Sequence, residues 1–265
     1  MNGQPRKNIA KRAYHFLRDL LFPLPSRTSN VEYNRAIWDR YAKNWYRKRK
    51  KMQAVEEGIE SAKVPDYLEY LGDEWGKKAD TDQVVADYIL PFVTSESVVA
   101  EIGVGGGRIA AKVAENTKEF YALDISREML EKAKDVLAIH PQVRFLLLER
   151  PEFPADFSER FDLIYSFDVF VHLDLHTIWK YFQEIRRVLK KGGKAFLHTT
   201  NLKAPGGWER FTSQSEYMVE GHYFISPETI GILAGHAGFR IIKTSTVDPS
   251  NFYLNRDYLF VMEKV

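Results

Sequence analysis

The chain has 265 residues, no cysteine, a formal net charge of +2, 45% hydrophobic residues and 28% charged residues. This is an ordinary globular composition, long enough for one α/β domain with an extension. It excludes disulfides, thiolate metal sites and cysteine nucleophiles. No apolar run reaches the ~18 residues needed to span a membrane, and the first apolar segment, interrupted by Arg18 and Asp19, lacks a secretory pattern.

The small net charge hides an asymmetry. Residues 1–51 hold 14 Lys/Arg and 3 Asp/Glu, a net +11, which leaves −9 on the remainder. A basic arm on an acidic body suits a polyanionic partner (a membrane surface, a nucleic acid or a phosphorylated carrier) or packs on the body's own acids. Residues 1–30 read as that arm. Ile9, Ala13, Phe16, Leu17, Leu20 and Leu21 recur at helical spacing, with Lys7, Lys11, Arg12 and Arg18 largely off that face, until Pro23 and Pro25 stop the helix. Residues 6–21 could therefore lie on an anionic membrane or dock on protein.

Residues 31–92 read as a helical cap. A long helix is expected from Val31 to about Ile59, with an aromatic stripe of Ile37, Trp38, Tyr41, Ala42, Trp45 and Tyr46. The run Arg47–Lys51 is either a phosphate contact or a solvated helix end. Around Trp75, Gly72 and Gly76 mark a turn, read as a flap or a packing corner. A further helix is expected from Thr81 or Asp82 to Leu90, before Pro91.

From residue 93 strand and helix alternate, the pattern of a mainly parallel sheet covered on both faces. Strands are expected at 98–102, 119–124, 143–148, 161–166, 194–200, 239–246 and 257–264, and helices near 106–116, 127–139, 175–190 and 226–236. Ligands bind beyond the carboxyl ends of such strands. The first strand runs into Glu101-Ile-Gly103-Val-Gly105-Gly-Gly107, a turn whose N–H groups can hold a polar or anionic group. The second strand ends in Asp124, a carboxylate suited to paired hydroxyls. A dinucleotide fingerprint would need its third glycine at position 108, which is Arg, so a nicotinamide dehydrogenase is disfavoured. Residues 201–225 form a connection rich in aromatics, including Trp208, Tyr223 and Phe224. A loop of that length in a compact domain is usually functional.

Together these segments resemble the class I S-adenosylmethionine (SAM)-dependent methyltransferases. The glycine turn resembles their first motif and Leu123–Met129 their second. Phe161–Leu173 resembles the fourth strand and its loop, and Arg187–Leu197 the turn into the fifth. The resemblance spans roughly residues 80–265. It implies a Rossmann-like seven-stranded sheet whose last strands are an antiparallel closing pair, a SAM-binding domain over 93–265, SAM as cofactor and an intracellular, cytoplasmic setting. It also implies roles. Glu101, Gly103, Gly105 and Gly107 would meet the amino-acid and ribose end, and Asp124 the ribose hydroxyls. Ile125, Met129 and Glu149 would border adenine, though the family often has Gly-Asp where this chain has Leu148-Glu149. Phe167 and Asp168 would pass the methionine moiety. Tyr41, Trp45 and Trp75 on the cap, with Trp208 and Tyr223 in the 201–225 insertion, would face the acceptor.

Methyl transfer from a sulfonium needs alignment and water exclusion, and a base where the acceptor is a hydroxyl. Three histidines qualify by residue type: His172 after the fourth strand, His222 in the insertion and His198 at the end of the fifth strand. Each could equally be structural. No metal is chemically required. The expected activity is O-methylation of a small-molecule hydroxyl, a sugar or lipid-linked glycan. An RNA methyltransferase using the basic arm and a non-catalytic SAM-fold scaffold are the competing readings.

Overall fold

A computed structural model of the protein describes residues 29–57, 71–72, 75–215 and 221–265, without the side chains of 46–57. The amphipathic helix expected over 9–21 and the cationic side chains of 47–51 lie outside the described residues.

Seven strands form one sheet: β1 (Val98–Ile102), β2 (Glu119–Asp124), β3 (Val143–Leu147), β4 (Phe161–Ser166), β5 (Leu189–Thr200), β6 (Phe239–Thr244) and β7 (Asp257–Lys264). Their order is β3-β2-β1-β4-β5-β7-β6. β1 to β5 pair in parallel, and β7 runs antiparallel to both β5 and β6. Period-two alternation sorts the strand residues onto two faces. Ala100, Ile102, Leu123 and Ile164 enter one apolar layer, and Val99, Phe120, Ala122 and Leu163 the other. Both faces are covered, which is why these strands are apolar throughout rather than alternating with polar residues.

Eight α-helices are described: α1 (Asn30–Glu57), α2 (Lys78–Val84), α3 (Ala110–Val113), α4 (Arg127–Leu137), α5 (Leu175–Val188), α6 (Pro205–Ser213), α7 (Pro227–His236) and α8 (Phe252–Arg256). α5 buries Ile178, Tyr181, Phe182, Ile185 and Val188, one stripe of a 3.6-residue period, and Asp174 caps it by accepting from Thr177 N. Ser126 caps α4 in the same way, accepting from Met129 N. Among the described residues no helix is long and apolar enough to cross a membrane.

Four elements differ from expectation. The helix expected over 106–116 shrinks to α3 and a 3₁₀ turn, because Gly105 and Gly107 adopt positive φ and extend the turn. α2 starts earlier, at Lys78, and passes through a π turn over Val85–Ile89 before Pro91. β5 begins at Leu189 rather than 194, paired with Phe161. α8 follows a stretch without helical periodicity; Asn251 nucleates it by accepting from Tyr253 N and Leu254 N. Within 201–225, α6 forms and the segment folds back, Thr200 Oγ1 donating to Tyr223 O and accepting from Ile225 N.

The cap helix α1 is fastened across the ends of β2 and β3. Arg35 donates to the carbonyls of Ile125, Leu148 and Glu149, and Asp39 accepts from Ser126 Oγ at 2.6 Å and Glu128 N at 3.4 Å.

Candidate functional site

Beyond the carboxyl ends of β1, β2 and β4, with α1 as one wall, lies a solvent-open cleft of about 850 Å³. The turn after β1 shapes its floor. Gly103 N and Val104 N both donate to Leu123 O. Gly103 has φ +75°, and a β-carbon there would overlap Val169 of the opposite loop. Gly105, at φ +54°, has nothing within 4 Å of where its β-carbon would stand. Its open face leaves room for a ligand to approach the backbone. Gly107 does not line the cleft. Its missing side chain lets the turn pack on Val136 of α4, a structural role in place of the expected ligand contact.

Three carboxylates, Glu101, Asp124 and Asp168, line the cleft. Asp124 accepts from Gly105 N through Oδ2 (2.9 Å) and from Ser126 N through Oδ1 (2.8 Å). Burial nevertheless pushes its carboxyl up to about 6, against those bonds. Glu101, 1% exposed, accepts from Tyr165 Oη at 2.9 Å. Burial raises its pKa well above the usual range, opposed by the Tyr165 bond and the Arg108 charge. Ile125, Met129, Leu148 and Tyr181 supply an apolar wall. Glu149 is exposed and only its carbonyl is engaged, by Arg35, so Leu148 rather than Glu149 faces the cleft.

Phe167 and Asp168 border the cleft from the loop after β4. Asp168 sits at φ +58°, a conformation costly for a non-glycine residue. It is held from three sides: Arg108 Nη2 at 2.9 Å and Tyr253 Oη at 3.3 Å reach Oδ2, and its own N–H donates to His198 Nδ1 at 3.1 Å. His198 is wholly buried, with Nε2 3.0 Å from Asp257 Oδ2, and Asp257 also pairs with Arg256 at 2.6 Å. Both imidazole nitrogens face protein groups, so His198 supports the Asp168 loop and is not the base the sequence offered.

His172 does line the cleft. Its Nδ1 lies 2.8 Å from Gly221 O, and a carbonyl only accepts, so Nδ1 carries the proton and Nε2 the lone pair. Asn30 and Asn34 of α1 donate to its backbone carbonyl, and Trp38 meets the ring edge-on at 5.2 Å. Burial lowers its pKa to about 4, which keeps it neutral near pH 7. His222 stands one ring behind, its centroid 5.2 Å from that of His172 and its Nδ1 3.4 Å from Arg210 Nη2. It does not line the cleft. Burial, with His172 and two arginines nearby, holds it neutral as well.

Of the expected acceptor-facing aromatics, Trp75 lines the cleft, together with Trp38 at a ring distance of 5.8 Å. Tyr41 and Trp45 pack behind them against Ala42, Leu71 and Met129. Trp208, 55% exposed, packs on Phe211 outside the cleft. Tyr223 ties the insertion to Val171 O through its N–H and to Asn30 through its hydroxyl. Sequence reasoning missed Asn34, Arg35, Arg108 and Tyr253 as site-builders. Asn34 lies one helical turn before Trp38, a signal available from spacing; Arg108 and Tyr253 meet Asp168 only through the fold.

The donor set suits a cationic, ribose-bearing cofactor: an acid at a strand end for hydroxyls, a deeply buried acid for positive charge, an open glycine face and apolar walls. Among the described residues no group of three or more His, Asp or Glu is disposed to hold a metal ion.

Residues 99–193 match the family of methyltransferase domains. The biotin biosynthesis bifunctional protein BioHC of Cellvibrio japonicus is 24% identical, over 76% of this chain. The chain spans only 41% of that relative's length. Magnesium protoporphyrin IX methyltransferase of Synechocystis, solved with bound SAH, is similar in fold at a TM-score of 0.59 and 16% identity, covering 88% of this chain and all of its own. The PH0226 protein of Pyrococcus horikoshii gives 0.60 and 19% identity over 77% of this chain and 97% of its own.

Proposed function

We propose that the chain is a class I SAM-dependent methyltransferase, a reading supported by the match of residues 99–193 to the family of methyltransferase domains, and that it methylates a hydroxyl of a small-molecule acceptor, a sugar or lipid-linked glycan. The observation that carries this reading is His172: a neutral imidazole at the cleft wall whose tautomer is fixed with the lone pair on Nε2. A hydroxyl needs a proton acceptor during transfer, and a fixed neutral imidazole provides one.

SAM supplies a methyl group already activated on a sulfonium. The chain's own residues bind and align. Asp124 accepts from the ribose hydroxyls while its orientation is set by Gly105 N and Ser126 N. Glu101, costly to ionise in the free protein, gains a cationic partner on binding. Asp168, pinned by Arg108 and Tyr253, holds the methionine end. Trp38 and Trp75, carried on α1 and the turn before α2, exclude water from the methyl side. His172 Nε2 takes the acceptor's proton.

In this reading residues 1–30 serve an anionic surface, which the +11 charge of residues 1–51 supports. The test is incubation with methyl-labelled SAM and a panel of nucleotide sugars, glycolipids and RNA, followed by NMR of the product. An O-methyl product from a sugar or glycolipid is expected. Products methylated only at nitrogen or carbon, or only RNA labelled, would overturn the reading.

A further inference from the structure

The strand ends stand in file along the cleft. The sheet order β3-β2-β1-β4 sets Leu148 just past β3, then Asp124, Glu101 and Asp168, at about 4.8 Å per strand. Polar and apolar chemistry divide along this file. Glu101 and Asp168, with Arg108, make one end charged. Leu148, Ile125 and Met129 make the other end apolar, and Asp124 stands between the two. A ligand with its ribose on Asp124 and its charged amino-acid end toward β1 and β4 therefore lays its base on the β3 side.

No side chain at the end of β3 reads the polar edge of that base, because Leu148 is apolar and Glu149 is exposed. Tyr181 of α5 is there instead. Its ring belongs to the buried stripe of α5 and packs on Phe170 at 5.3 Å. Among the described residues three tyrosines are at most 2% exposed: Tyr165, Tyr181 and Tyr253. Tyr165 donates its hydroxyl to Glu101, and Tyr253 donates to Asp168. The Tyr181 hydroxyl has no hydrogen-bond partner among the described residues, and it is not sealed in protein, since Tyr181 lines the cleft. The charges that act on it are Asp124 and Arg35, which flank the apolar end; Arg35 is clamped on the Ile125 and Leu148 carbonyls. Burial raises its pKa, with Asp124 adding to the effect, so the hydroxyl stays neutral and can both donate and accept. For the fold alone this hydroxyl is a liability. A buried tyrosine usually finds its hydroxyl a partner, and phenylalanine would fill the same stripe without desolvating one.

We propose that the Tyr181 hydroxyl is the side-chain group that reads the polar edge of the cofactor's base, so that base recognition comes from α5 and not from the end of β3. The assignment rests on the SAM-dependent reading above and adds a specificity-determining residue to the same site. A hydroxyl serves an adenine edge either way round, accepting from the 6-amino group or donating to a ring nitrogen. A site that hydrogen-bonds such a group rejects the analogue that lacks it.

The test titrates the full chain calorimetrically with S-adenosylhomocysteine (SAH) and with three SAH analogues whose base lacks the 6-amino group, N1 or N7. Tyr181→Phe should weaken SAH binding about fivefold to tenfold, the value of one hydrogen bond. That loss should vanish for at least one analogue, the one missing the partner of the hydroxyl. In urea unfolding of the free protein Tyr181→Phe should be no less stable than wild type, because no bond within the protein is removed. Equal SAH affinity in wild type and Tyr181→Phe overturns the proposal. A loss of the same size for SAH and all three analogues also overturns it, by marking ring packing or a ribose contact. A variant destabilised in urea does so too, by marking a structural hydroxyl. Failure of SAH to bind the wild-type chain overturns the parent reading, and this assignment with it.

Discussion

Replacing Asp124 by Asn separates what the site costs the fold from what it does. In the free protein burial raises this carboxyl from 3.8 to about 6. Between those values the folded state holds a proton that the unfolded chain has released, so stability falls as pH rises through the window and is level above it. The shift of about two units corresponds to about 3 kcal/mol lost at pH 8 relative to pH 3.5. An amide has only one acceptor, so its NH2 end would face the N–H of Gly105 or Ser126 and one of the two bonds would be lost. Asp124→Asn should therefore be less stable than wild type by about 1–3 kcal/mol near pH 3.5, and that deficit should close or reverse toward pH 8, where wild type has lost about 3 kcal/mol. The same change removes a charged acceptor for ribose and should weaken SAM binding at least about tenfold. Urea unfolding of both proteins across pH, with calorimetric titration of SAM at pH 8, checks both halves. A destabilisation of the same size at every pH would refute the burial argument, and unaltered SAM affinity would refute the ribose role.

Other outcomes follow from the same geometry. His172→Gln should lower turnover by about 10²–10⁴-fold while SAM affinity holds, measured by rapid-quench kinetics with labelled SAM. Because His172 is neutral down to about pH 4, the wild-type rate should show no acid limb from this residue near pH 6.5. Arg35→Ala removes three hydrogen bonds that fasten α1 to Ile125, Leu148 and Glu149; SAM should bind about tenfold more weakly, and hydrogen exchange in α1 should quicken. Gly103→Ala forces a side chain into Val169 at a positive φ, and should cost about 2–4 kcal/mol in urea melts.

Much of this was legible in the chain because the core of an α/β sheet is written locally. Strands β1, β2, β4 and β7 announce themselves as apolar runs, and Glu101, Gly105 and Asp124 are placed by the strand ends that carry them. What depended on tertiary contact was not legible. Gly107 looked like its neighbours until its open side proved to be filled by Val136. By residue type His172 and His198 are alike, and only the resemblance favours His172, which follows the fourth strand; in the fold β5 buries His198 under the Asp168 loop while a 3₁₀ turn brings His172 to the cleft. Glu149 was expected at the adenine by analogy, but Arg35 draws its carbonyl instead and leaves Leu148 facing inward. The acid-base pair of Arg108 and Asp168 joins residues 60 apart, and no local pattern signals such a contact.

The most direct test is a crystal structure of the full chain with SAH. The account predicts ribose hydroxyls on the Asp124 carboxylate, the amino-acid end beside Glu101 and Asp168, and the sulfur on the His172 side of the cleft. SAH bound with its ribose away from Asp124, or absent from the cleft at saturating concentration, would contradict it.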